Sequence, residues 1–329
     1  MNAKKNNLGQ IDEALVYFFE VEEKDEAMLK KAFPKAKIIH EALTPKNAEQ
    51  YKSAHVICTF IYSDLSAKTI ESFKDLKLIV TRSVGYNHID LEVAQKMNAI
   101  VCNVPDYGSH VIAEHAFALL LSAARNVIEG EERTEKNQFD WKGLRGIALR
   151  GKTLAVVGTG KIGMHVCRIA SLGFQMNVLA YDVYPNQDKA KDYHFNYVDS
   201  LEELWKKADF ISLHTPLFPS TEHMINDKTI RQMKEGVMLI NTARGELIDT
   251  PALIKGIKSG KIAHAALDVI EHEKNIQKHE AILHLENVIV TPHIAFYADD
   301  SIGKMYEESI KSIQELMAGK DIVHQVHGR

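Results

Sequence analysis

Between Thr153 and Asp182 the chain reads TLAVVGTGKIGMHVCRIASLGFQMNVLAYD. Thr153 to Val157 is a short apolar, β-branched run of the kind that forms a strand buried on both faces, and Gly158, Gly160 and Gly163 follow it at once in G-x-G-x-x-G spacing. A helical pattern then runs from Lys161 to Leu172, and a second apolar strand, Asn177 to Tyr181, ends in Asp182. The first glycine permits a tight turn, the second lets backbone approach a pyrophosphate, and the third lets the helix sit close to the strand. N–H groups of Lys161 and Ile162 open that helix, where its dipole favours phosphate. Asp182 stands where a carboxylate accepts hydrogen bonds from a ribose 2′-hydroxyl, and the next basic residue is Lys189. A strand–glycine–helix–strand unit closed by an acid implies a dinucleotide site that takes NAD rather than NADP.

A chain of 329 residues is expected to form two domains, each with its own core. Charged residues make up 26% and the formal net charge is −4, with both signs mixed, so neither nucleic acid nor an anionic membrane surface is expected as a partner. The first residues, MNAKKNNLGQIDE, contain no apolar export core, and no apolar run reaches the roughly 18–20 residues that span a bilayer. Cys58, Cys102 and Cys167 are few, far apart and set in apolar segments, as reduced core thiols of a cytoplasmic protein are.

Before the glycine turn, strand patterns at Ala14–Phe19, Ala36–His40, Ala54–Phe60, Leu78–Thr81 and Ile100–Asn103 alternate with helical ones, which predicts a parallel sheet covered on both faces. After Leu78–Thr81 comes RSVGYNHID, a loop at the carboxyl end of a parallel strand, where open α/β sheets bind ligands. Val84 and Gly85 could face an anion there with backbone N–H groups; equally, the segment could be an ordinary turn with Asp90 at a helix start. Pro105 and Gly108 mark a turn into the second domain. Ser109 to Arg125 is apolar around almost its whole circumference, so it is expected to be buried between domains or against another subunit, with His115 a satisfied structural histidine. Six strands are expected from Thr153 onward, the last ones ending at Asn241, Val269 and Thr291, and a final helix over Asp300–Met317 is expected to return to the first domain.

Three of those strand ends carry polar groups suited to proton-coupled hydride transfer: Arg244, Glu273 and His293. A hydride moving to a carbonyl carbon leaves charge on the oxygen, so an acid must deliver a proton there, and histidine titrates closest to neutral pH. A carboxylate beside it fixes the ring's tautomer, and a guanidinium holds a substrate carboxylate by a planar two-point contact. Together they suit a 2-oxo acid and its 2-hydroxy acid. On spacing alone, Arg244 could equally cap a sheet end, Glu273 could belong to a solvated charge run with His272, Lys274 and Glu280, and Pro292-His293 could be a turn. His272, His279 and His284 match no metal-ligand spacing, and no metal is expected.

The segments TRSVGYNHID, AEHAFALLL, VVGTGKIG with YD, LHTPL, INTARGELID, ALDVIEHE and TPHIAFY occur in the order found in the D-isomer-specific 2-hydroxyacid dehydrogenases, and the chain resembles that family, most closely its D-lactate dehydrogenase members. The resemblance implies a Rossmann NAD-binding domain over residues 107–297 inserted in a flavodoxin-like substrate domain formed by residues 1–106 and 298–329. It further implies that Arg244 orients the substrate, His293 is the acid/base and Glu273 pairs with it. Gly158, Gly160, Lys161, Ile162, Gly163, Asp182, Thr215, Pro216, Thr221, Thr242, Ala243, Arg244 and Asp268 would line the NAD site, Asp268 meeting the nicotinamide carboxamide. Val84 and Gly85 would offer N–H groups to the substrate carboxylate, with Tyr107 and Phe296 closing over a small 2-oxo acid such as pyruvate. A homodimer is expected. Two departures from the family pattern are Ile270, where an aromatic residue is common, and the short interval from Glu273 to His293. Alternatives of other kinds are a dehydrogenase for a larger 2-oxo acid and an NAD-sensing scaffold without turnover. An L-specific lactate dehydrogenase would carry its glycine fingerprint near the amino terminus rather than at Gly158.

Overall fold

The computed structural model describes residues 11–273, 275, 277 and 280–326. The chain divides into two compact units, one built from residues up to Gly108 together with those from Ala298, the other from Ser109–Tyr297. Each is organised on its own parallel sheet.

The first unit contains β1 (Val16–Phe18), β2 (Lys37–Ile38), β3 (Val56–Thr59), β4 (Leu78–Thr81) and β5 (Ile100–Cys102) in the order β2-β1-β3-β4-β5, all parallel. This is the flavodoxin-like order, with the chain direction reversing between β1 and β3. Strands buried on both faces alternate side chains between two cores. Ile57 and Ile79 enter one with Leu65 and Phe73, while Val56, Cys58, Leu78 and Val80 enter the other with Ile313 and Leu316 of the helix Asp299–Met317. That last helix packs in this unit, as expected. β1 is shorter than its apolar run because Glu13–Leu15 forms a 3-10 turn capped by Asp12 and the chain turns at Glu20, which has φ of +56°.

The second unit adds β6 (Thr153–Val157), β7 (Asn177–Tyr181), β8 (Asn196–Tyr197), β9 (Phe210–Leu213), β10 (Val237–Asn241), β11 (Ile262–Leu267) and β12 (Val288–Val290), in the order β12-β11-β10-β9-β6-β7-β8. All neighbours are parallel, which makes this a doubly wound sheet whose direction switches between β6 and β9. Among the described residues there are seven strands rather than six: β8 has two residues and no apolar run to announce it. Ala155 and Val157 point into a core with Trp205, Ile211 and Leu253, and Leu154 and Val156 point into one with Phe117, Val166 and Phe210. Phe117 stacks on Phe174 with centroids 5.2 Å apart.

The apolar helix Ser109–Ala124 finds its burial inside this unit. Ala113, Ala116, Phe117, Leu120 and Ala124 pack in the core under β6, and Leu119 and Ala123 pack on Ala266 of β11. Its composition therefore does not require a second domain or subunit, which corrects the expectation drawn from hydropathy alone.

The register of the last strands decides where chemistry can gather. Asn241 pairs with Leu267, and Leu267 with Val290, so β10, β11 and β12 end abreast. The segments that carry Arg244, Glu273 and His293 leave the sheet from this one edge.

The glycine turn is fixed by contacts that no side chain could share. Gly158 has φ of +87°, and a Cβ on Gly163 would lie 1.9 Å from the Gly158 carbonyl oxygen, whereas one on Gly160 would meet nothing within 4 Å. Gly163→Ala is accordingly expected to destabilise the protein by about 1–3 kcal/mol in urea unfolding, with Gly160→Ala within about 0.5 kcal/mol of wild type. Equal losses in the two variants would contradict this packing.

Candidate active site

The switch point of the second unit lies where β6 and β9 end. A Cβ on Gly158 would sit 2.7 Å from the His214 carbonyl oxygen and 2.9 Å from the Thr215 nitrogen, so the turns after these strands pack backbone to backbone. Desolvation pushes the His214 imidazole down to about 3, leaving a neutral ring 2.7 Å from the Ser212 hydroxyl. From Gly160, the helix Lys161–Arg168 starts with its N-terminus at the turn.

Asp182, at the end of β7, accepts hydrogen bonds on Oδ2 from the Thr159 N–H (2.6 Å) and hydroxyl (3.1 Å), and on Oδ1 from the Tyr184 N–H (2.9 Å). The Thr159 hydroxyl also lies 2.7 Å from that of Tyr197 on β8, which accepts the Asn186 N–H at 3.1 Å. The carboxylate is thus pinned beside the glycine turn by Thr159 and Tyr197, neither of which the motif singles out; the only sequence signal was that Thr159 occupies the variable position between two glycines.

After β9, Thr215 and Pro216 open a loop in which the Thr221 hydroxyl accepts the Phe218 N–H at 2.8 Å and donates to the Pro216 carbonyl at 2.8 Å. Thr221 shapes its own turn. After β10, buried Asn241 accepts the Ala243 N–H at 3.0 Å and donates to the Arg244 carbonyl at 2.8 Å, which curls the Thr242–Arg244 turn tightly. The buried Thr242 hydroxyl has no hydrogen-bond partner among the described residues, which leaves it free to meet a ligand group at this turn. An open glycine turn at a helix start, a pinned acid after the second strand and an unsatisfied hydroxyl after β10 fit a dinucleotide along this edge.

The central feature is Asp268, whose side chain has 0% exposure. Its Oδ1 accepts the Thr291 hydroxyl (2.5 Å) and the Ile294 N–H (2.9 Å), and its Oδ2 accepts the Ala295 N–H (2.8 Å). His115 Nε2 lies 3.4 Å from Oδ1 and 3.2 Å from the Thr291 hydroxyl, so this histidine is satisfied, as expected, but within the site's own network. Burial works to raise the Asp268 carboxyl, and these hydrogen bonds outweigh it and hold the group below the ordinary carboxylate range. The carboxylate is spent on the loop that follows β12 rather than facing outward.

That loop presents His293. Its backbone has φ of +54°, a left-handed conformation costly for histidine, and is held by N–H bonds to the carbonyls of Asp268 (2.8 Å) and Thr291 (2.9 Å). The ring's Nδ1 lies 2.9 Å from Glu273 Oε2, and the Phe296 ring stands edge-on to it at 6.4 Å. Two residues on different segments are thereby paired through Nδ1 of the ring. Arg244 approaches from the neighbouring strand end: a Cβ on Gly245 would lie 2.0 Å from the carbonyl carbon of Ile270 and 2.4 Å from the Glu271 nitrogen, so the arginine turn rests directly on the segment leading to Glu273. Lys274 and His279, read from sequence as neighbours of that segment, fall outside the described residues. Among the described residues no group of three or more His, Cys, Asp or Glu side chains could hold a metal ion.

In the first unit, the segment after β4 is shaped by polar contacts. Asn103 donates to the Val84 carbonyl at 2.8 Å and the Ser83 hydroxyl to the Gly85 carbonyl at 2.6 Å, while Asp90 caps the helix Leu91–Lys96 by accepting the Val93 N–H. The Asp90 cap bears out the reading of a helix start after this strand, and the loop before it is fixed through the carbonyls of Val84 and Gly85. Behind it, the buried Arg82 guanidinium donates to the carbonyls of Phe19 and Glu20, each at 2.8 Å, and lies over the Tyr306 ring at 5.0 Å. Tyr107 follows β5 in this unit.

The model of the D-isomer-specific 2-hydroxyacid dehydrogenase NAD-binding domain matches residues 117–295. The chain is 39% identical over 293 residues to an aromatic 2-oxoacid reductase of Clostridium sporogenes (84% of this chain, 87% of the other) and 34% identical over 292 residues to the D-lactate dehydrogenase of Escherichia coli (84% and 88%). The D-lactate dehydrogenase of Aquifex aeolicus, solved with NAD and lactic acid, superposes with a TM-score of 0.86 at 36% identity, covering 95% of this chain and 99% of that one. The chain belongs to the D-isomer-specific 2-hydroxyacid dehydrogenases. It is an oxidoreductase of that family with a Rossmann NAD-binding domain, its cofactor is NAD, and the family acts on small 2-hydroxy and 2-oxo acids. No single described helix is long and apolar enough to cross a membrane.

Because the native Asp268 titrates below its unfolded value, its contribution to stability is present above the ordinary carboxylate range and lost as pH falls through the depressed value. Asp268→Asn should therefore cost about 1–3 kcal/mol at neutral pH, with the gap to wild type narrowing on acidification below about pH 4 in thermal unfolding. A gap that is constant with pH would contradict the ionised, hydrogen-bonded state.

Proposed function

We propose that this dehydrogenase reduces pyruvate to D-lactate with NADH, reversibly. The observation that carries the reading is the His293–Glu273 pair at 2.9 Å, set on the strand edge that also bears Arg244. Bound NADH supplies a hydride for the carbonyl carbon. His293 delivers the proton to the carbonyl oxygen from Nε2 and takes it back in the oxidative direction. Glu273, on Nδ1, fixes the tautomer that leaves Nε2 facing the substrate. Arg244 grips the substrate carboxylate by two parallel N–H bonds and lends positive charge beside the carbonyl. We further assign to substrate binding Val84 and Gly85, through their backbone N–H groups, and the aromatic rings of Tyr107 and Phe296.

For the cofactor, Gly158, Gly160, Lys161, Ile162 and Gly163 would hold the pyrophosphate and Asp182 the ribose. Thr215, Pro216, Thr221, Thr242 and Ala243 would line the NAD site, and Asp268, assigned to its nicotinamide end, would act there mainly by holding the His293 loop. We assign residues 1–106 and 298–329 to the substrate domain and 107–297 to the cofactor domain. A homodimer in the cytoplasm is also proposed: Phe139 and Trp141, 98% and 81% exposed, offer aromatic surface for a second copy, and the three cysteines are buried free thiols suited to a reducing compartment.

A second reading, a larger aromatic 2-oxo acid as substrate, is favoured by the 39% identity to the Clostridium sporogenes aromatic 2-oxoacid reductase. Steady-state kinetics with NADH and a panel of pyruvate, phenylpyruvate and branched 2-oxo acids separates the two. Pyruvate is expected to give the highest kcat/KM; a preference for phenylpyruvate establishes the second reading, and NADH binding without any turnover leaves only a sensing role. His293→Ala should lower kcat by about 100-fold to 10,000-fold while NADH affinity stays within about twofold. Unchanged turnover in that variant would reject His293 as the acid.

A further inference from the structure

Glu271 stands two residues before the catalytic carboxylate, Glu273, and is not part of the chemistry described above. Its side chain is only 13% exposed, and it is fully engaged. Oε1 lies 2.7 Å from His223 Nε2, and Oε2 accepts the N–H of Thr250, the first residue of the helix Thr250–Lys258, at 2.9 Å. A half-buried carboxylate bound on both oxygens by two different elements holds its own backbone in place.

His223 is held as firmly on its side. It has a left-handed backbone, φ of +48°; its N–H donates to the Glu246 carbonyl at 2.8 Å, and its own carbonyl accepts the Asn226 side-chain N–H at 2.7 Å. Next to it, Ile225 donates to Leu247 at 3.1 Å and accepts from Asp249 at 2.9 Å. His223 thus joins the turn that begins at Arg244 to the segment that ends at Glu273, and Gly245 rests on the backbone of Ile270 and Glu271 at the same junction. Left-handed non-glycine residues persist where the surroundings over-determine them, and they cluster at functional sites.

We propose that Glu271 and His223 are a positioning pair for the reaction proposed above, locking the Glu273 segment against the Arg244 turn so that His293, Glu273 and Arg244 keep one mutual geometry. Neither touches the reacting atoms; both act through the residues they hold.

The pair is an ion pair over a bounded pH range. The hydrogen bond to Glu271, with the carboxylates of Glu271, Asp249 and Glu222 around it, raises His223 above the usual imidazole value against the opposing effect of burial. Burial raises Glu271, but hydrogen bonds from Thr250 and His223 outweigh it and hold that carboxyl below the usual range. The pair's contribution is therefore present above the ordinary carboxylate range and lost as pH rises through the elevated His223 value.

Three variants of the full-length protein test the proposal. Glu271→Ala removes both contacts; Glu271→Gln retains an acceptor for the Thr250 N–H; His223→Gln retains a donor toward Glu271 but no titrating charge. With the 2-oxo acid that wild type reduces fastest, kcat is expected to fall about 30-fold in Glu271→Ala and only about threefold to fivefold in Glu271→Gln, because sub-ångström misplacement of catalytic groups is enough for such losses. For His223→Gln the deficit should be about tenfold near pH 6 and vanish as pH rises through the elevated His223 value, above which wild type also lacks the ion pair. The 15N signal of His293 Nδ1, which reports its hydrogen bond to Glu273, should shift in Glu271→Ala and return toward wild type in Glu271→Gln. A wild-type protein that reduces no 2-oxo acid would reject the proposed function, and the His293 signal would then decide the positioning role by itself. An unmoved His293 signal, or kcat within about twofold of wild type in both Glu271→Ala and His223→Gln at pH 6, overturns the proposal. If Glu271→Ala does not fold, Glu271→Gln and His223→Gln carry the same comparison.

Discussion

The Asp268 carboxylate sits at the end of β11 with no side-chain exposure and gathers the Thr291 hydroxyl and the N–H groups of Ile294 and Ala295. An ionised group so deeply buried is tolerable only when hydrogen bonds satisfy both oxygens, and here the donors come from the loop that carries His293. The unfavourable burial is what makes the loop's position specific: any other path for residues 291–295 leaves a charge unpaired in the core. His293 can then keep a left-handed backbone and meet Glu273 at 2.9 Å.

Sheet register supplies the rest of the arrangement. With Asn241, Leu267 and Val290 abreast, the three turns that follow are neighbours whatever their sequences, and their contents decide the chemistry. Gly245 removes the side chain that would separate the Arg244 turn from the Glu273 segment, and the Glu271–His223 contact closes the same junction from its outer side. In the first unit Arg82 plays a comparable organising part, drawing the carbonyls after β1 toward the end of β4, next to Val84 and Gly85.

Much of this could be read from the chain in advance, for reasons that lie in local chemistry. Strands buried on both faces are mostly apolar runs, so β3, β4, β6, β9 and β10 were visible, and the glycine turn was visible because close backbone approach admits no other residue. Asp182 stands directly after β7, and Arg244 and His293 follow closely after β10 and β12. What stayed hidden depends on distance in sequence. Tyr197 lies on a two-residue strand with no pattern of its own, and His223 meets Glu271 across 48 residues with no local signal in either segment. The helix Ser109–Ala124 misled in the opposite way, since hydropathy reports that a surface is covered but not by what; β11 and the β6 core cover it.

The proposal that His293, Glu273 and Arg244 bind and protonate one face-selected 2-oxo acid is tested most directly by the configuration of the product. Purified protein given pyruvate and NADH should consume nicotinamide absorbance and yield lactate that chiral chromatography resolves as the D isomer alone. L-lactate, or a racemic mixture, would contradict the account.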